Sequence, residues 1–410
     1  MLTRRQTLMA SGAVTLGLTG VGCVSRAAPV PEMDDRPGRG RVLRVPAASD
    51  GAPTLLSDMS GRIGGRVFSA ASPFRIASVS KLLVGELMRR LHTAGELNAD
   101  DDVSDIIHYP LRHPGFLQEP VTLRRLIGHQ SGIIDPPVYW MAAPGNIRTL
   151  LTDEIWEPGV RPGAGFRYSN LNYGIAATVM EAATGDRFDR LFTRWIAQPL
   201  GLDIGFNWSG VSAARRASGF PVMRGRPGAW DVQVDRPDTL AASEPAILRD
   251  RGFDLKDYVP GSNGTLFSPQ GGLRASLSDL IVIGQEIVLQ QPALWTPNWQ
   301  ASETDGRGSE SESIDGRGHE AGHFTAFGEG VYIYPHGPRP GAGRQWVGHH
   351  GEAYGVYCGL WVVPETGAVF AHADLGSPVD GSPMTGERPN QTEIASKAFD
   401  WAFAQAGAML

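Results

Sequence analysis

Short apolar runs broken by turns gather toward the two ends of this chain, and apolar residues recur with helical spacing in its middle, an order that sharply restricts the architectures open to it. Short apolar runs broken by Ser60-Gly61 and Gly64-Gly65 predict hairpins over 54–74, and strand patterns return at 330–334, 344–348, 356–363 and 368–373. Between them Leu82, Leu83, Leu87, Met88 and Leu91 predict a helix over 81–92, with further helices over 121–127, 172–181, 186–196 and 277–289 and a terminal one over 391–404. Weak periodicity and many Pro, Gly and Asp residues make 209–261 loops with short elements. Strands from both ends enclosing helices imply a discontinuous α/β domain, 50–80 plus 325–410, holding a mainly helical domain over 81–324 with a flexible loop at 302–322. A cleft between two such parts is a natural place for a ligand site.

The 410 residues are 41% hydrophobic, enough to bury sizeable cores, and the net charge of −6 with no basic cluster excludes a nucleic-acid partner. The chain opens with Arg4-Arg5 and an uncharged, glycine-containing apolar stretch over 8–24, too short for a good membrane span. Residues 1–28 therefore read as an export signal whose paired arginines resemble a twin-arginine signal, and 29–49, rich in Pro, Gly and charge, read as a tether. Gly20-Val21-Gly22-Cys23 resembles a lipoprotein box without its usual leucine. Lipidation of Cys23 would anchor the protein to a membrane, whereas cleavage near Ala27 or Ala28 would release it to the periplasm. With Cys23 in the signal and Cys358 the other cysteine, no disulfide is expected in the mature protein.

Of 37 basic residues only Lys81, Lys256 and Lys397 are lysine. A chain that uses arginine wherever it needs a charge, yet keeps a lysine in Ser78-Val79-Ser80-Lys81, marks a position where deprotonation matters, although genome composition accounts for the bias as a whole. Residues three apart share a helical face, so the Lys81 amine can meet the Ser78 hydroxyl and, once neutral, take its proton. The competing reading of Ser78 is a helix N-cap. Tyr168-Ser169-Asn170 follows a Pro-Gly turn and precedes a helix; Tyr168 is a candidate proton shuttle and Asn170 a positioning group for Lys81 or a substrate amide, against the bland reading of turn chemistry. His349-His350-Gly351 opens a run into 356–361, where Gly351 permits close approach of a ligand and the Glu352 N–H is a candidate oxyanion donor beside that of Ser78. The plain alternative is a buried histidine pair.

Taken together, Phe74-Arg75-Ile76-Ala77-Ser78-Val79-Ser80-Lys81, Tyr168-Ser169-Asn170 and His349-His350-Gly351 resemble, in order, the three motifs of the serine β-lactamase and penicillin-binding-protein superfamily, in its class C β-lactamase-related branch. Supporting blocks are Leu126 to Gly132, Gln270-Gly271-Gly272-Leu273 with Asp279, and Phe327-Gly328-Glu329-Gly330. The resemblance implies an α+β fold, an antiparallel sheet flanked by helices with an inserted mainly helical domain. It makes Ser78 the acylated nucleophile, Lys81 and Tyr168 the general acid/base pair and Asn170 a positioning group. His349 stands where class C β-lactamases carry a lysine, as in DD-peptidases and esterases of the branch, which removes a fixed cation for a β-lactam carboxylate unless His349 is protonated.

His319-Glu320-Ala321-Gly322-His323 is a literal zinc-peptidase signature, but the glycines around it disfavour the helix that would align both histidines. The expected protein is an exported serine hydrolase acting through an acyl-enzyme on an amide or ester, with no metal or organic cofactor. DD-peptidase, D-amino-acid peptidase or esterase activity on a small-molecule or peptide substrate, peptidoglycan fragments included, comes first. A true β-lactamase, a non-catalytic penicillin- or peptidoglycan-binding homologue and a zinc metallopeptidase follow.

Overall fold

The computed structural model describes residues 36–46, 52–63, 65–226, 229–232, 253–300, 326–334, 343–377 and 393–406. The export signal, Cys23, the loop at 302–322 and the His319–His323 motif lie outside them.

The scaffold is one sheet of nine strands among the described residues: β1 (Arg36–Val45), β2 (Thr54–Ile63), β3 (Arg66–Val67), β4 (Trp299–Gln300), β5 (Ala326–Phe327), β6 (Tyr332–Tyr334), β7 (Trp346–Ala353), β8 (Val356–Val363) and β9 (Ala368–Asp374). Their order is β3-β2-β1-β9-β8-β7-β6-β5-β4, and every neighbouring pair is antiparallel. All of β8 is buried, which requires cover on both faces. Alternation divides it accordingly. Cys358, Leu360 and Val362 join the large core shared with helices α1 (Ser80–Thr93), α2 (Leu171–Thr184) and α3 (Leu277–Ile283). Trp361 and Val363 join a second core with Leu43, Trp346, Phe370 and Phe399, the last from the terminal helix α4 (Glu393–Ala406). Truncating Trp361 or Phe370 to alanine would cost about 3–5 kcal/mol, because either leaves a cavity in a closed layer.

The expected tether over 29–49 is corrected in part: residues 36–45 are β1, in the middle of the sheet, with Val42 opposite Ala371 and Leu43 opposite Phe370. Val42 and Leu43, adjacent and both buried, face opposite cores, and an irregular register between Arg36 and Arg39 absorbs the Pro-Gly pair that disguised the strand. The third motif lies inside β7 rather than at the start of the next strand, because Tyr354-Gly355, both with positive φ (55° and 105°), turn the chain directly from β7 into β8.

α1 forms as its apolar spacing predicts. Its one internal carboxylate, Glu86, is fully buried and neutralised by Arg89 at 2.7 Å and Arg90 at 2.6 Å, one turn away on the same helix.

Candidate active site

Phe74–Arg75 is a two-residue strand pairing with Leu273–Ala275, after which one 3-10 turn, Ala77–Val79, delivers Ser78 to the start of α1. Ala77 is held at φ 45°, in the left-handed region that costs a residue with a Cβ on the order of 1 kcal/mol. Tertiary contacts hold that conformation. Ile76 N–H donates to Leu273 O at 3.1 Å, and the buried Cys358 thiol on β8 donates to Ile76 O at 3.2 Å. β7 presses on the same turn: a Cβ on Gly351 would come within 2.4 Å of Ile76 O and 3.1 Å of Ser78 N, so only glycine lets the strand approach the Ser78 backbone.

Lys81 is fully buried on the first turn of α1, one turn from Ser78. Its Nζ donates to Ser78 Oγ at 3.0 Å, Asn170 Oδ1 at 2.8 Å and Gln270 O at 2.8 Å, and lies 4.8 Å from the centre of the Tyr168 ring. Burial lowers its pKa to about 7; the Asp135 carboxylate opposes that shift and the Arg75 guanidinium reinforces it. The partner types decide what the neutral amine does. Asn170 Oδ1 and Gln270 O only accept, so they hold the two N–H bonds of a neutral amine and its lone pair is left facing the Ser78 hydroxyl.

Asp135 organises the second motif. It accepts from Ser169 Oγ at 2.7 Å, Asn170 Nδ2 at 2.8 Å and Leu171 N at 2.9 Å. A carboxylate only accepts, so the bond to Nδ2 fixes the Asn170 amide with Oδ1 toward Lys81. Asn170 precedes α2 without using its own side chain as a cap, and Asp135 supplies the missing acceptor for the helix's first N–H. On the other side His129 accepts from Ser169 N at 3.1 Å through Nδ1 and stacks on Tyr168, centroids 4.4 Å apart.

His349 is buried on β7, its ring 6.3 Å from that of Tyr168. Its Nδ1 is bonded to the carbonyl of His350, so the ring proton sits there and Nε2 keeps a lone pair. Burial, then the neighbouring His350 and Lys81, hold its pKa well below the usual histidine value. A fixed cation for a β-lactam carboxylate is therefore not present at this position near neutral pH. Glu352 follows on the same strand, opposite Tyr357, and partial enclosure raises its carboxyl above the usual range. Among the described residues no cluster of three or more His, Cys, Asp or Glu side chains could hold a metal ion.

Residues 55–373 match the profile of the family described as Beta-lactamase. The chain belongs to the beta-lactamase family. Within it, the sequence is similar to the D-alanyl-D-alanine-carboxypeptidase/endopeptidase AmpH of Escherichia coli K12, 29% identical over 140 residues, covering 32% of this chain and 36% of the relative. It is also similar to esterase EstB of Burkholderia gladioli, 28% identical over 246 residues, covering 53% of this chain and 59% of the relative. Protein flp of Staphylococcus aureus N315 matches at 27% identity over 32% of this chain and 27% of its own. The matched stretches thus span from about a quarter to about three-fifths of those relatives. Among solved structures, the octameric penicillin-binding protein homologue from Pyrococcus abyssi superposes with TM-score 0.62 at 18% identity, covering 90% of this chain and 74% of that one. The D-amino acid amidase from Ochrobactrum anthropi SV3 superposes with TM-score 0.58 at 17% identity, covering 90% and 92%. These likenesses show the family's α+β fold.

The structure brings Ser78, Lys81, Tyr168, Asn170, His349 and Gly351 to one place, with Glu352 following Gly351 on β7. Sequence reasoning missed Asp135, the carbonyl role of Gln270 and the burial of Arg75. Asp135 acts across 34–36 residues of chain, a relation no local spacing reports.

Proposed function

We propose that this chain is an exported serine hydrolase that forms an acyl-enzyme on Ser78 and acts on amides or esters of the DD-peptidase, D-amino-acid peptidase or esterase type. The carrying observation is the fully buried Lys81, its pKa near 7, between the Ser78 hydroxyl and two obligate acceptors. In this reading the neutral amine takes the hydroxyl proton as Ser78 Oγ bonds to the carbonyl carbon. The N–H groups of Ser78 and Glu352 hold the oxyanion, and Lys81 with Tyr168, as one coupled pair, returns the proton to the leaving group. Water then attacks the acyl carbon and frees Ser78.

The curated relatives named as carboxypeptidase/endopeptidase and esterase support this choice. A β-lactamase stands lower, because the buried, neutral His349 offers no charge to a β-lactam carboxylate. No helix of the described residues is long and apolar enough to cross a membrane, and export rests on Arg4-Arg5 and the apolar stretch after it.

Intact-protein mass spectrometry with p-nitrophenyl esters, a D-Ala-D-Ala peptide and a penicillin tests the reading. An acyl adduct on the wild type that is absent from Ser78→Ala is expected; an adduct persisting in Ser78→Ala would remove Ser78 as the nucleophile.

A further inference from the structure

Three residues before the nucleophile, Arg75 is only 7% exposed, and among the described residues no carboxylate or carbonyl accepts a hydrogen bond from its guanidinium. Its Nε is sealed from solvent without a partner, and the guanidinium lies over the face of Tyr354, 4.7 Å from the ring centroid. The two terminal nitrogens make no hydrogen bond within the described residues and are not sealed as Nε is, so the fork of a guanidinium that cannot lose its proton reaches solvent and is open to a ligand's acceptor.

The surroundings point to the catalytic cleft. Tyr354 sits on the tip of the β7–β8 hairpin in the left-handed region, φ 55°, a conformation a tyrosine adopts only when its surroundings impose it, and here it lays the ring over Arg75. The positive charge of Arg75 is close enough to act on both Lys81 and the Tyr139 phenol. Neither nearby carboxylate forms an ion pair with it: Asp135 accepts from three neutral donors of the second motif, and Glu352 makes no contact with the guanidinium among the described residues. The other basic groups are not available to an anion: Lys81 is committed to three acceptors, and His349 carries its proton on Nδ1 toward a carbonyl.

We propose that Arg75 is the substrate-carboxylate anchor of this site, its planar fork pairing with a carboxylate on the substrate and taking over the task a third-motif lysine would have. The inference rests on the acyl-enzyme reading for its placement but predicts binding that needs no turnover. The substrate class follows: esters or peptides carrying a free carboxylate near the scissile bond, on either its acyl or its leaving-group side.

Calorimetric binding to full-length Ser78→Ala protein separates those sides. On the acyl side mono-p-nitrophenyl glutarate is compared with p-nitrophenyl pentanoate, and on the leaving-group side 3-acetoxybenzoate with phenyl acetate. The charged member of one pair is expected to bind about 10- to 100-fold more tightly than its neutral counterpart. That preference should vanish in Ser78→Ala/Arg75→Gln and survive in part in Ser78→Ala/Arg75→Lys, which keeps the charge without the fork. Circular dichroism checks that each variant is folded; should the glutamine variant fail to fold, the lysine variant decides, and an undiminished preference there overturns bidentate anchoring. No preference in either pair, or one untouched by Arg75→Gln, overturns the proposal. Absence of any adduct on wild-type Ser78 would instead overturn the acyl-enzyme reading and leave this comparison standing.

Discussion

Two titratable groups are buried beside opposite ends of α2, and they are buried for different ends. Beside its N-terminus, Lys81 is lowered to about 7; near its C-terminus, Glu181 is raised to about 8, and desolvation is the largest cause in both. Glu181 accepts from Tyr258 Oη at 2.6 Å and Phe188 N at 2.9 Å inside the core, and from Gly261 N at 3.1 Å at its margin. Lys81 also has three partners, but one of them, Ser78 Oγ, belongs to a partly exposed residue, the proposed nucleophile. A perturbed pKa is thus common to a structural clasp and to the proposed reactive centre. What distinguishes them is whether a partner hydroxyl reaches solvent, as Ser78 does and Tyr258 does not.

The comparison breaks most severely at Ser78. Ser78→Ala should lower kcat/KM for any ester that acylates the wild type by about 1,000-fold or more, with an unchanged thermal midpoint, measured by steady-state hydrolysis and calorimetry. Glu181→Ala should do the reverse. It strands a buried hydroxyl, a buried N–H and a half-buried one, so stability falls by about 3 kcal/mol in urea titrations while kcat per folded molecule stays within about twofold. A comparable loss of kcat would make Glu181 part of the reactive centre after all.

Asp135→Asn tests the link between them, since Asp135 both fixes Asn170 and opposes the lowering of the Lys81 pKa. An expected decrease of about 10- to 100-fold in kcat/KM should come with the acylation pH profile moved to lower pH. A loss of rate with the profile unmoved would show that Asp135 acts through geometry alone.

The smallest effects are in pH-dependent stability, and they have opposite signs. A lysine whose folded pKa is about 7 binds fewer protons folded than unfolded up to 10.5, so its contribution to stability rises with pH across that window. A carboxyl raised from 4.5 to about 8 binds more protons folded, so its contribution is fully present below 4.5 and is lost as pH rises through 8. Lys81→Met should flatten the alkaline rise, and raise stability near neutral pH by removing an unfavourably buried amine, while Glu181→Gln should flatten the fall. Denaturant midpoints across pH 5 to 10 read both.

Much of the scaffold was legible in the sequence because its strands and helices carry their own periodicity. The spacing over 81–92 and 172–181 marks α1 and α2, and β8 has the bounds its apolar run predicted. β1 was hidden, because arginines, a proline and glycines around Val42, Leu43 and Val45 gave the segment the composition of a linker. In the site, Ser78, Lys81, Tyr168 and Asn170 were legible because each belongs to a short motif. Asp135 and the Gln270 carbonyl were not, since they reach Lys81 or its holder from loops distant in sequence. Arg75 stood in plain view within the first motif, but only burial without a partner marks it out.

The account as a whole stands on Lys81 acting as a neutral base rather than as a fixed charge. The most direct measurement is the pre-steady-state acylation rate of Lys81→Arg with a p-nitrophenyl ester, beside the wild-type rate as a function of pH. The wild-type rate should rise with pH through a midpoint near 7 as the amine loses its proton, and Lys81→Arg, which keeps the charge but cannot give it up, should show no burst. A near-normal burst in the arginine variant would contradict the account.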